Sequence, residues 1–108
     1  MNGLRVAIVG ATGLVGQEFI RILAQRSFPI KELSLLASDR SAGKKLDFNG
    51  QTIEVRETTP ESFADIDLAF FSAGADISHH FSPIAAKKGA VVIDNSSAFR
   101  MESGVPLV

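Results

Sequence analysis

The sequence predicts an α/β fold, Rossmann-like, with a mostly parallel sheet, helices on both faces and an inserted β-hairpin. Three observations carry that expectation. Short apolar runs alternate with segments of helical periodicity, the pattern of strand, crossover helix and strand. Glycines 10, 13 and 16 stand between the first apolar run and the first helical segment, where a strand must turn sharply into a helix. Asn49-Gly50 interrupts an alternating stretch, and that dipeptide suits a two-residue hairpin turn. A chain of 108 residues, 45% of them hydrophobic with mean hydropathy +0.19, has the size and the apolar material for one core.

Taken in order, Val6, Ile8 and Val9 form the first strand, and the stretch G-A-T-G-L-V-G from Gly10 to Gly16 follows it. Each glycine has a physical use there: Gly10 permits the reversal, Gly13 lets backbone approach a pyrophosphate, and Gly16 lets the helix pack closely on the strand. Val15, Phe19, Ile22 and Leu23 recur at helical spacing, opposite Gln17, Glu18, Arg21 and Gln25, so an amphipathic helix is expected to end near Arg26. Ser27, Phe28 and Pro29 break it, and Glu32 to Ala37 reads as a second, largely buried strand. A helical crossover makes that strand a parallel partner of the first. Lys45 to Phe48 and Gln51 to Arg56 are expected to pair around Asn49-Gly50 as a hairpin that decorates the sheet.

Thr59 and Pro60 suit an N-cap and first helical position, giving one or two helical turns up to Ala64. Leu68 to Phe71 is a third apolar strand, ending in Ser72, Ala73 and Gly74. A second main helix is expected within Ser78 to Lys88. Its cap is Ser82, which places Pro83 in the first turn, or Ser78, which makes Pro83 a kink; Ser82 is favoured. Lys87 and Lys88 suit the negative end of that helix and Gly89 is placed to stop it. Ala90 to Asp94 is a fourth core strand, ending in Asn95, Ser96 and Ser97, and the chain closes on the apolar residues Val105 to Val108, which read as cut short.

Composition narrows the function classes. Eleven Lys and Arg against twelve Asp and Glu give a net charge of −1, with none of the basic surplus that binds a phosphate backbone, so nucleic acid is not expected as a partner. The N-terminal apolar run is broken at Gly10, too short for a secretory segment or a membrane span, and a cytoplasmic location is expected. There is no cysteine, which excludes disulfides, thiolate metal sites and a cysteine nucleophile within these residues. His79 and His80 are adjacent and would diverge on a helix, which favours solvated side chains over a metal or catalytic pair.

In an open parallel sheet, ligands bind at the C-terminal ends of the strands. Four such ends carry small or polar residues here: Gly10 to Gly13, Ser38 to Ser41, Ser72 to Gly74 and Asn95 to Ser97. The first places helix N–H groups toward a diphosphate, with the Thr12 hydroxyl beside them. The second strand's end distinguishes nicotinamide cofactors, since an acidic residue binds the ribose 2′-hydroxyl of NAD and an arginine accommodates the 2′-phosphate of NADP. Both residue types occur, Asp39 and Arg40, and the hydroxyls of Ser38 and Ser41 on either side of Arg40 weight the reading toward NADP.

The phrases G-A-T-G-L-V-G, A-S-D-R-S-A-G-K (Ala37 to Lys44), F-F-S-A-G (Phe70 to Gly74) and above all V-I-D-N-S-S-A-F-R (Val92 to Arg100), followed by V-P-L-V, resemble the aspartate-semialdehyde dehydrogenases in the family's order over nearly the whole chain. The resemblance implies an NADP-dependent enzyme of the aspartate pathway to lysine, threonine and methionine. Such an enzyme interconverts aspartate semialdehyde plus phosphate with aspartyl phosphate through a cysteine thioester, as a homodimer. By position it implies that Thr12, Gly13, Leu14 and Val15 hold the pyrophosphate and that Arg40 and Ser41 hold the 2′-phosphate. Ser72, Ala73 and Gly74 line the way to the nicotinamide ribose, and Arg100 binds the substrate phosphate. A guanidinium fork suits that last task, although an ion pair with Glu102 is the plainer reading of the residue taken alone.

The family's cysteine and histidine lie beyond residue 108, as does its catalytic and dimerisation domain. Residues 1 to 108 are therefore expected to be an incomplete NADP-binding domain that binds cofactor without catalysing, since nothing in them replaces the thiolate. Two other readings stay open: N-acetyl-glutamyl-phosphate reductase, with parallel acyl-phosphate chemistry but a different counterpart of D-N-S-S-A-F-R, and a cysteine-lacking paralogue that serves only as a nucleotide-binding module.

Overall fold

The computed structural model describes residues 3 to 26 and 28 to 94. Strands β1 (Leu4–Val9), β2 (Ile30–Ala37), β5 (Arg56–Glu57), β6 (Leu68–Phe71) and β7 (Val91–Asp94) form one sheet in the order β5-β2-β1-β6-β7. All four pairings are parallel. Helix α1 (Leu14–Gln25) joins β1 to β2 on one side, and α2 (Ala75–Lys87) joins β6 to β7 on the other. The order turns back at β1, which has β2 on one flank and β6 on the other. That reversal leaves a crevice at the carboxyl ends of β1 and β6, the usual seat of a ligand in such a sheet.

The strands read as nearly continuous apolar runs because both faces are covered. Val6 and Ile8 point into the core under α1, with Leu33, Leu35, Phe70, Ile20 and Leu23. Ala7 and Val9 point the other way, into a core with Leu36, Phe63, Phe71, Phe81 and Ala85. The ring of Phe19 on α1 stacks on Phe70 with centroids 3.8 Å apart. Mixing small and large residues at neighbouring positions lets the two layers interdigitate at interior density. At the edge strand β7, Val91 and Ile93 are 64% and 44% exposed. Among the described residues no helix is long and apolar enough to cross a membrane.

Most elements fall where the residue pattern puts them, and the departures have local causes. β2 begins at Ile30 rather than Glu32, because Leu4 pairs there before a register shift at Leu4/Arg5. The hairpin forms between β3 (Lys45–Phe48) and β4 (Gln51–Glu54) as a separate two-stranded sheet. Asn49 and Gly50 take φ of 51° and 83°, the left-handed values that a tight hairpin turn requires. The expected continuation of the second hairpin strand to Arg56 is not made. Val55 is fully buried and still bonds across the hairpin, its amide to the Lys44 carbonyl and its carbonyl to the Gly43 amide, but Arg56–Glu57 pairs instead with Leu36 and Ala37 of the main sheet.

The segment from Thr59 is a single 3-10 turn, Pro60–Phe63, with Thr59 and Ser62 forming a reciprocal capping box. The second main helix differs most from expectation. It starts at Ala75, with Gly74 at the N-cap, and neither Ser78 nor Ser82 caps it; Pro83 lies inside it. Gly74, at φ 109°, breaks the chain out of β6 and sets the start. Pro83 removes one bond to the carbonyl of residue 79, and both residues lie on the exposed side, where water can take that carbonyl. The other end is as expected: Gly89 has φ 100°, and the amides of Gly89 and Ala90 donate to Ala86 and Ala85, closing a Schellman stop. β7 begins at Val91, one residue late.

Candidate functional site

The three glycines after β1 do three different things. Gly10 has φ 90° and its amide, with that of Ala11, donates to the Leu36 carbonyl of β2 at 2.8 and 3.1 Å. A Cβ on Gly10 would stand 2.9 Å from the Ala73 nitrogen, so its absence lets the loops after β1 and β6 touch. A Cβ on Gly16 would stand 2.2 Å from the Gly10 carbonyl, which makes that glycine the point where α1 meets the turn. At Gly13 φ is −77°, and a Cβ would meet nothing nearer than Gly10 O at 3.5 Å. The fold accommodates a side chain there, so its absence is not a demand of the protein's own packing.

These loops frame a cavity of about 580 Å³. Val9, Gly10, Thr12 and Gly13 line it from the end of β1, and Ala37, Ser38, Asp39 and Ser41 from the end of β2. Glu57 and Thr58 line it beside β5, and Ser72, Ala73, Ile77 and Phe81 from β6 and α2. Thr12 Oγ1 donates to Ser41 Oγ at 3.3 Å across this space. Ser72 Oγ donates to the Val9 carbonyl at 3.1 Å, and Thr58 donates to the Ala37 carbonyl through both its amide and its hydroxyl, at 2.9 and 3.0 Å. Each strand end is thus tied to its neighbour by a hydroxyl that also lies at the cavity wall.

Gly10, Thr12, Gly13, Ser38, Ser41, Ser72 and Ala73, expected from the sequence to form a site, are brought together here. Leu14, Val15, Arg40 and Gly74 are not among the lining residues. Leu14 is 89% exposed, and what it and Val15 offer is backbone N–H at a helix start, where α-helical geometry supplies no partner. Arg40 stands exposed beside the cavity. Arg100 and the Asn95 to Ser97 end lie outside the described residues. His79 and His80 are exposed on α2, the ring of His80 meeting Phe81 edge-on. Glu57, Thr58, Ile77 and Phe81 complete the wall without having been expected there, since only the β2–β5 pairing and the earlier start of α2 carry them to it.

The helix ends differ electrostatically. α2 has Asp76 in its first turn, whereas α1 has neither an acidic residue in its first turn nor a side-chain cap on its amides. Among the described residues no side chain compensates the positive end of α1, which stands beside a cavity whose lining includes Gly13. A helix start without a side-chain cap, a missing side chain at Gly13 and the hydroxyls of Thr12 and Ser41 beside them are a combination that suits an anion.

The family described as semialdehyde dehydrogenase, NAD binding domain, matches residues 5–108. The chain is 53% identical over 107 residues to an aspartate-semialdehyde dehydrogenase of Bacillus subtilis, covering 99% of this chain and 31% of that protein. A crystal structure of aspartate semialdehyde dehydrogenase II of Vibrio cholerae complexed with ASA superposes with a TM-score of 0.86 at 47% identity, over 98% of this chain and 35% of that one. The aspartate semialdehyde dehydrogenase of Candida albicans, solved with NADP, gives 0.73 at 35% identity, over 97% and 33%. The chain thus spans about a third of the length of each of these relatives (31%, 35% and 33%).

Proposed function

The chain belongs to the semialdehyde dehydrogenase family through its NAD-binding domain, and from that membership we propose that it is the NADP-binding part of an aspartate-semialdehyde dehydrogenase. The reaction is the interconversion of L-aspartate 4-semialdehyde plus phosphate with L-4-aspartyl phosphate. NADP, when bound, supplies the hydride acceptor, and the residues of this chain hold and orient it. Thr12 through its hydroxyl, Gly13 through the open space left by its missing side chain, and Leu14 and Val15 through their amides take the diphosphate. Ser38, Arg40 and Ser41 take the 2′-phosphate end, and Ser72, Ala73 and Gly74 border the nicotinamide ribose. Arg100 takes the substrate phosphate.

The observation that carries this reading is Gly13: it lines the cavity, its backbone has an ordinary negative φ, and nothing among the described residues lies closer than 3.5 Å to where its Cβ would be. A missing side chain that the fold does not require points to something else approaching that backbone. The 108 residues contain no cysteine, so the thiolate that attacks the aldehyde carbon has to come from elsewhere and this chain alone contributes binding.

Calorimetry tests the reading. NADP and 2′,5′-ADP are expected to bind more tightly than NAD, and Arg40→Ala to remove most of that preference. Purified chain is expected to oxidise no semialdehyde at any cofactor concentration. Absence of binding by all three nucleotides would refute the site, and turnover by the pure chain would refute the account of the missing thiol.

A further inference from the structure

The end of β2 is closed by a turn in which the amides of Ser41 and Ala42 both donate to the Ser38 carbonyl, at 3.0 and 3.1 Å. Asp39 and Arg40 are the two central residues of that turn. The cavity wall includes Ser38, Asp39 and Ser41 and leaves out Arg40. Glu57 is the second carboxylate on this wall, set there because it pairs with Ala37 at the end of β2. The charged residues that line this side of the cavity, Asp39 and Glu57, are therefore acidic, while Arg40, next in the chain to Asp39, is exposed and not among the lining residues.

Resting on the cofactor reading above, we infer that Asp39 is a specificity-determining residue that works against the 2′-phosphate. Its carboxylate accepts a hydrogen bond from the ribose 2′-hydroxyl of NAD and repels the 2′-phosphate of NADP, which Arg40 attracts. A carboxylate and a phosphate placed together destabilise each other in any partly desolvated site. The two effects oppose each other, so the chain takes both NADP and NAD, and Asp39 sets how small the difference is. Glu57 adds to the acidic field but belongs to a different strand, and its removal should act on both nucleotides alike.

The test is titration of the full chain with NADP and NAD by calorimetry, for wild type, Asp39→Asn and Glu57→Gln. Asp39 sits exposed in a turn, and asparagine keeps its shape there, so the variant should fold; Asp39→Ala, which removes the side chain's hydrogen bonding as well, should shift the ratio the same way. The expected result is a rise in the NADP-to-NAD affinity ratio of about tenfold in Asp39→Asn, the weight of one charge-assisted contact, with NAD binding weakened and NADP binding strengthened. An unchanged ratio, with both nucleotides still bound, overturns the role of Asp39 and leaves the cofactor site standing. An equal ratio shift in Glu57→Gln also overturns it, by assigning the effect to the net charge of the cavity. Failure of wild type to bind either nucleotide overturns the cofactor reading and this inference together.

Discussion

Thr12 Oγ1 donates to Ser41 Oγ at 3.3 Å, joining the loop after β1 to the loop after β2 across 29 residues of sequence. Both hydroxyls line the cavity, so each satisfies the other with a bond that a bound phosphate can replace. A neutral, part-buried bond of this kind contributes about 1 kcal/mol to stability. Thr12→Val should therefore lower unfolding free energy by no more than about 1 kcal/mol while weakening NADP binding roughly tenfold, since the ligand loses a donor made only in the complex. Urea unfolding and calorimetry on the same preparation separate the two. Unaltered NADP affinity in both Thr12→Val and Ser41→Ala would remove these hydroxyls from the site.

Gly13 and Gly16 should respond to alanine in opposite ways. At Gly16 the added carbon would lie 2.2 Å from backbone oxygen, which cannot give without moving α1 off the turn. Overpacking of that kind costs on the order of 1–3 kcal/mol. At Gly13 the nearest atom is at 3.5 Å, an ordinary contact, so the fold should lose only the modest preference, below about 1 kcal/mol, that an N-cap has for glycine over alanine. Dinucleotide binding should instead fall at least tenfold, because the methyl occupies the space a diphosphate needs. Thermal melting that shows Gly13→Ala to be the less stable of the two would contradict this division of roles.

The legible part of the sequence was whatever depends on neighbours a few residues away. The glycine turn, the Asn49-Gly50 hairpin, the Thr59 cap and the Gly89 stop are each set by local backbone geometry, and all stand where the residues put them. The apolar runs of β1, β2 and β6 were equally plain because a sheet covered on both faces leaves little choice of side chain. What could not be read depends on distant partners. Nothing near Arg56 and Glu57 marks them as a strand of the main sheet rather than the end of the hairpin; they are one because Val55 turns inward and β2 offers an edge. The same holds for Glu57 and Thr58 at the cavity, and the turn that puts Asp39 on the wall and Arg40 off it was not visible in the residue order. In α2 the proline outweighed a weaker but correct cue, the positive-φ glycine at 74.

That proline gives a test of its own. Pro83 lies inside α2, exposed, and removes the amide that would otherwise bond to the carbonyl of residue 79. Replacing it with alanine restores the bond and the better helix former, against a modest loss from the freer unfolded chain. Pro83→Ala should stabilise the protein by about 1–2 kcal/mol with no change in the denaturant slope. Destabilisation would mean that the ring makes packing contacts stronger than the bond it prevents.

Ser78 is the one buried polar side chain among the described residues, 1% exposed. Its hydroxyl donates to the Asp94 carboxylate at the end of β7 and lies 3.2 Å from Ser82 Oγ. The contact fastens α2 to β7, at the end of the sheet where the cavity-lining loops emerge. A hydrogen bond to a charged acceptor contributes about 1.5–3 kcal/mol, and alanine at this position also leaves the carboxylate one donor short. Ser78→Ala should therefore cost roughly 2 kcal/mol in urea unfolding. Because neither Ser78 nor Asp94 lines the cavity, NADP affinity measured well below the unfolding transition should stay within about twofold. A loss of stability under about 0.5 kcal/mol, within the range of neutral surface changes, would show that the helix and β7 are held by apolar packing alone, through Ala85, Ala90 and Val92.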